Sequence, residues 1–180
     1  MKYCNPFERD IFNSINFHRF DEFTELITSI FQLNLNARNH YGATFLNFAC
    51  QYPNVEFIDK LIALGSDIDS INDYKESSLM VASKHGHLHI VQKLLSFQPN
   101  VFLKNIDEKT ALDLSIDYHH PKISHILNTY ISYIDLKQNF DYNKDYSYTP
   151  NNVMKLLKKE KLATTQQFIQ DYASFIKSAG

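Results

Sequence analysis

Apolar residues fall along this chain in short stripes with helical rather than strand spacing. Ile11, Phe12 and Ile15 make the first stripe, and Phe20, Phe23, Leu26, Ile27 and Ile30 the second. Leu46 and Ala49 share one helix face, being three residues apart. Phe57, Ile58, Leu61 and Ile62 recur in kind as Ile90, Val91, Leu94 and Leu95. Near the end, Phe168, Ile169, Tyr172, Phe175 and Ile176 line one further face. Apolar positions three and four apart predict amphipathic helices, so the chain reads as all-α.

The stripes repeat. Three segments align without gaps at a spacing of 33 residues: 39–71, 72–104 and 105–128, the last fading toward its end. Each begins with Asn, at Asn39, Asn72 and Asn105. Each has a hydroxyl at its sixth position, Thr44, Ser77 and Thr110, where an N-cap can accept an orphan backbone N–H. Leu46, Leu79 and Leu112 follow, then the small residues Ala49, Ala82 and Ser115. A second helix is marked by Phe57–Ile58, Ile90–Val91 and Ile123, followed by Leu61, Leu94 and Leu127. One such helix pair cannot bury its own apolar face, so stacking supplies the core.

Residues 39–128 resemble the ankyrin repeat. "GATFLNFA", "SSLMVASKHGHLHIVQKLL" and "LGSDIDSIN" are similar to its T-P-L-H-x-A, G-H-L-x-V-V-x-L-L and G-A-D-V-N elements, in the right order and at constant period. The resemblance implies an all-α ankyrin-repeat solenoid of helix-turn-helix units with β-turn fingers. Departures are visible. The family's proline after the hydroxyl is replaced by Phe45, Ser78 and Ala111. The turn glycine survives as Gly42 but becomes Lys75 and Glu108, which predicts strained or reshaped finger tips. Pro53 and His119 replace the inter-helix Gly86, and "YHHPKIS" is expected to shorten or reset the last second helix.

The expected organisation is an ankyrin-repeat domain over 1–128, with residues 8–38 as a divergent N-terminal cap. A tyrosine-rich connection follows at 129–148, helical in its first third, and then a C-terminal helical hairpin at 149–180. Thr149 and Pro150 open that hairpin as N-cap and first helical residue.

Composition narrows the function. The chain has 180 residues, a formal net charge of −2 and 44% hydrophobic residues. No strong field draws it to nucleic acid or anionic membrane, and no apolar run is long enough to span a bilayer. Cys4 and Cys50 make no disulfide framework, so a reducing, cytoplasmic compartment is expected. The lysines of "KLLKKEK", Lys155, Lys158, Lys159 and Lys161, read as a solvated helix face.

Three histidines within five residues, His85, His87 and His89, invite a metal reading. Neighbouring acids or thiols that would complete a tetrahedral set are missing from the local sequence, and residues two apart on a helix do not share a face. By the resemblance His87 ties down the inter-helix turn, His89 faces solvent on the second helix, and His85 ends the inner helix. No metal, cofactor or catalytic residue is expected. Cys50 is expected to be buried and structural.

What remains is a face. The resemblance implies finger tips at the second, third and fifth positions of each repeat and inner-helix contacts at the thirteenth and fourteenth. The third-position row is Tyr41, Tyr74 and Asp107, and the fourteenth-position row is Tyr52, His85 and Tyr118. His40, Asp73, Glu76 and Lys109 join the tips, together with Ala43 and Ile106. Gln51, Lys84 and Asp117 join the inner row. Tyr is enriched where binding energy concentrates. The expectation is a monomeric, non-catalytic module that binds another protein through the concave face. Two other expectations stand beside it: a secreted effector or adaptor of an intracellular microbe acting in the host cytoplasm on host proteins, and the targeting part of an enzyme whose catalytic domain lies in the tail or outside this chain.

Overall fold

The computed structural model describes residues 5–28 and 34–139. Cys4, Ile30, the rest of the tyrosine-rich connection, the hairpin expected at 149–180 and its lysines lie outside the described residues. The chain divides into two units, Met1–Leu127 and Asn128–Gly180. Of the second, the described part is the continuation of a helix to Asn139.

The described residues form eight helices: α1 Pro6–Asn16, α2 Phe20–Thr28, α3 Phe45–Ala49, α4 Val55–Ala63, α5 Ser78–Lys84, α6 Leu88–Ser96, α7 Ala111–Asp117 and α8 Pro121–Asn139. They contain no strand, only an isolated antiparallel bridge between Ile71 and Ser77. The fold class is therefore all-α, as expected. The inner helices α3, α5 and α7 begin 33 residues apart, and so do the outer helices α4, α6 and α8.

Local chemistry repeats with the same period. Thr44, Ser77 and Thr110 are N-caps, and their hydroxyls accept from the backbone N–H groups of Asn47, Met80 and Asp113. The helices start at Phe45, Ser78 and Ala111 although none is proline, because the hydroxyl cap fixes the start by taking one of the orphan N–H groups of the first turn. Each finger is wound around its leading asparagine. The Asn39 side chain accepts from the N–H groups of Tyr41 and Ala43, that of Asn72 from Tyr74 and Glu76, and that of Asn105 from Asp107 and Lys109. At the finger turn Gly42, Lys75 and Glu108 all adopt left-handed φ, at 69°, 56° and 58°. The tips without glycine thus keep their shape and carry strain in place of reshaping.

The expected shortening of the last outer helix does not occur. Its start is in register with Leu88 and Val55, and it runs on to Asn139, through the boundary expected at 128. Pro121 occupies the first helical position, where the missing N–H costs nothing. His119 takes the turn that Gly86 takes one repeat earlier, with φ of 60° against 77°.

The core runs between the repeats. Leu46, Leu79, Ala49, Ala82 and Ser115 are buried from the inner helices, while Leu112 is only half-buried. Phe57, Ile58, Leu61, Ile90, Val91, Leu94, Leu95, Ile123 and Leu127 are buried from the outer ones, and Ile62 is half-buried. The N-terminal pair α1–α2 packs on the first repeat through aromatic rings. Phe12 lies 4.4 Å from Phe45 and 5.4 Å from Phe48, and Phe57 meets Phe20 at 5.2 Å and Phe23 at 4.8 Å, centroid to centroid. Asn5 opens α1 with a capping box closed by Glu8.

Candidate functional site

The fingers are joined edge to edge. The Asp73 N–H donates to the Tyr41 carbonyl at 3.1 Å, and the Ile106 N–H donates to the Tyr74 carbonyl at 3.0 Å. Arg38 ties the first finger to the base of the second by donating to the carbonyls of Gly42 and Ile71. These bonds hold the tip residues in a fixed row. Tyr41 and Tyr74 stand out from it, 52% and 49% exposed. His40, Asp73, Ile106 and Asp107 are exposed beside them, and the His40 ring lies 3.8 Å from that of Tyr41.

The fifth and thirteenth positions meet within each of the last two repeats. In repeat two, Lys84 Nζ is 3.0 Å from Glu76 Oε1. In repeat three, Lys109 Nζ is 2.5 Å from Asp117 Oδ2. The first bar is embedded: Glu76 is buried, also accepts from Asn72 Nδ2, and its backbone carbonyl accepts from the buried Asn47 side chain. Burial works against the Lys84 charge, but the bond and charge of Glu76 outweigh it and hold the ammonium above its ordinary value. The second bar is exposed, and Asp117 raises the Lys109 ammonium mainly through their hydrogen bond. The first repeat has Ala43 and Gln51 at these positions and no bar; Ala43 is buried.

The fourteenth-position row divides. Tyr118 is 49% exposed, with the Lys84 ammonium 5.7 Å from its ring centroid. His85 is exposed at the C-cap of α5. Tyr52 is only half-buried, and its ring packs edge-on against His18 at 5.0 Å while its hydroxyl donates to Asn16 Oδ1. It fastens the N-terminal helix pair to the first repeat, and burial pushes its hydroxyl above its ordinary value.

Two histidines stitch the repeats together. His87 Nε2 bonds to the Gln51 carbonyl at 2.9 Å, and His120 Nε2 bonds to the Lys84 carbonyl at 3.1 Å. Each opens an outer helix and reaches across to the preceding repeat, His87 to the chain just after α3 and His120 to the last residue of α5. A Cβ on Gly86 would stand 2.5 Å from the His120 ring, so the left-handed turn also makes room for the stitch. Sequence reasoning gave the first role to His87 and passed over His120, although His120 stands one period after His87. It also noted the leading asparagines without assigning their role, and did not single out Arg38 or Asn16.

His85 and His87 stack nearly parallel, 6.0 Å apart at 13°. Among the described residues no group of three or more His, Cys, Asp or Glu is placed to hold a metal ion. His89 is exposed on α6. Cys50 is fully buried, and burial drives its thiol far above the ordinary range, so it packs as a small apolar group. No helix among the described residues is long and apolar enough to cross a membrane.

Comparison with known proteins fits this geometry. A protein-family model described as ankyrin repeats (3 copies) matches residues 46–139, just over half of the chain. The chain is 31% identical over 101 residues to the E3 ubiquitin-protein ligase hecd-1 of Caenorhabditis elegans, covering 54% of this chain and 4% of that protein. It is 30% identical over 73 residues to Ankyrin repeat and SOCS box protein 11 of Mus musculus, covering 41% and 22%. It is 26% identical over 84 residues to Inversin of Mus musculus, covering 47% and 8%. The match thus spans less than a quarter of each of these relatives.

Proposed function

The chain belongs to the ankyrin-repeat family, and we propose that it binds a partner protein, without catalysis, through the face formed by its finger tips and inner helices. Ankyrin repeats are generally protein–protein interaction modules. The observation that carries the reading is the exposure of Tyr41, Tyr74 and Tyr118 on backbone that the asparagine turns and finger-to-finger bonds already hold in place. None of the three rings fills the core. A rigid aromatic side chain offers large contact area at low entropic cost. Tyr52 and Glu76 support this face from behind, while Asp73, Asp107, His40 and His85 supply polar contacts at its surface.

The likeness to a ligase does not carry ligase chemistry here, since it covers 4% of that protein. Cytoplasmic location and a monomeric state belong to the same proposal. The test is affinity capture with the full chain alongside a Tyr74→Ala, Tyr118→Ala double variant. A protein retained by the wild type and lost by the folded variant supports the reading. Retention by both points away from this face, and turnover of a substrate without a stable partner overturns the non-catalytic part.

A further inference from the structure

Between repeats two and three the proposed binding face carries a nitrogen-rich patch. Lys84 and His85 end α5, His87 opens α6 and His120 opens α8. Three of the four are committed: Lys84 to Glu76, His87 to the Gln51 carbonyl and His120 to the Lys84 carbonyl. The exposed His85 is different. Its ring nitrogens make no hydrogen bond within the described residues, and its nearest ring neighbour is His87, stacked at 6.0 Å.

The groups that act on His85 are His87, Lys84 and His120, which oppose a positive charge there, and Glu76, which favours it. Glu76 is the one carboxylate among them, and it is already held by Lys84 and Asn72. His85 is therefore a vacant donor, and the one carboxylate that acts on it is already held. A lysine or arginine arriving here would face Lys84 and three imidazoles. A carboxylate would find His85 within reach of the Lys84 charge, with the Lys84 ammonium itself over the Tyr118 ring. A polyanionic strand is less suited, because the exposed Asp107 acts on Lys84 and the exposed Asp117 directly precedes Tyr118.

We propose that this patch receives the side-chain carboxylate of an Asp or Glu presented by the partner protein. The proposal rests on the reading of this face as the binding surface. It carries a sign. In the free protein partial burial of the ring, then His87 and Lys84, hold His85 below the ordinary imidazole value of about 6.5. An arriving carboxylate favours the charged imidazole and offsets that penalty, so docking takes up a proton. Affinity then rises as pH falls through the bound-state value and levels off below the free-state value.

The probe is N-acetyl-glutamate amide, which has one side-chain carboxylate, titrated into the full-length protein at constant ionic strength. Histidine ring signals are followed by NMR from pH 5.5 to 7.5. The expected result is a saturable shift of the His85 signal, a higher titration midpoint for it with probe bound, and affinity about three- to tenfold tighter at the acid end. His85→Asn should abolish this pH dependence, and His89→Asn, outside the patch, should preserve it. The proposal fails if N-acetyl-glutamine amide acts equally, if affinity is flat with pH, or if His85→Asn keeps the dependence. It also fails if inorganic phosphate binds more tightly, which would favour a phosphorylated partner. Failure of the binding-face reading is seen separately, through the tyrosine variants and the captured protein.

Discussion

Glu76–Lys84 and Lys109–Asp117 occupy the same two positions of successive repeats, with their charges in opposite order. The inside of the stack behaves differently. Thr44, Ser77 and Thr110 do one job three times, as do Asn39, Asn72 and Asn105. Inside, the period preserves chemistry, because each repeat must offer its neighbour the same shape. On the face it preserves only place, and the side chain there is free to differ. With the proposed function, that contrast divides the molecule into a scaffold, where a substitution is expected to cost stability, and a surface, where it is expected to cost recognition.

The contrast can be broken by one truncation inside. Leu79 is 2% exposed, and Leu79→Ala should cost roughly 2–5 kcal/mol in urea unfolding. A loss under about 0.5 kcal/mol, typical of neutral surface changes, would mean that the inside is not what holds the stack.

The two charge bars sharpen it. Glu76→Gln leaves Lys84 beside a neutral amide in the embedded bar and should lower stability by about 1 kcal/mol, allowing for partial solvent screening. Asp117→Asn in the exposed bar should leave the unfolding transition where it is. Equal losses would show that place in the period, and not burial, sets the value of a bar.

One further effect has the opposite sign. Lys75 is exposed and left-handed, so Lys75→Gly should stabilise by about 0.5–1 kcal/mol as released strain outweighs the added chain entropy. A destabilised variant would mean that the lysine side chain holds the finger.

Most of the scaffold was legible because its rules are local and repeated: a hydroxyl cap, an apolar stripe, a spacing of 33. The last outer helix was misjudged because Pro121 was weighed as a breaker, whereas its position in the period puts it at a first turn. The face was legible as a set of positions only. That Glu76 is buried under Lys84, and that Tyr52 is taken by Asn16 and His18, depends on distances across a finger or across the cap, which one sequence does not display. His120 was within reach, since the period that gives His87 its role gives His120 the same one.

The division into scaffold and face is tested most directly by measuring stability and partner affinity on the same three variants, Leu79→Ala, Tyr74→Ala and Tyr118→Ala, by urea unfolding and by isothermal titration with the protein captured by the wild type. Each tyrosine variant should melt like the wild type and bind at least about tenfold more weakly, the scale of a hot-spot truncation, while Leu79→Ala should lose stability. Tyrosine variants that bind like the wild type, or that unfold as early as Leu79→Ala, would contradict the account.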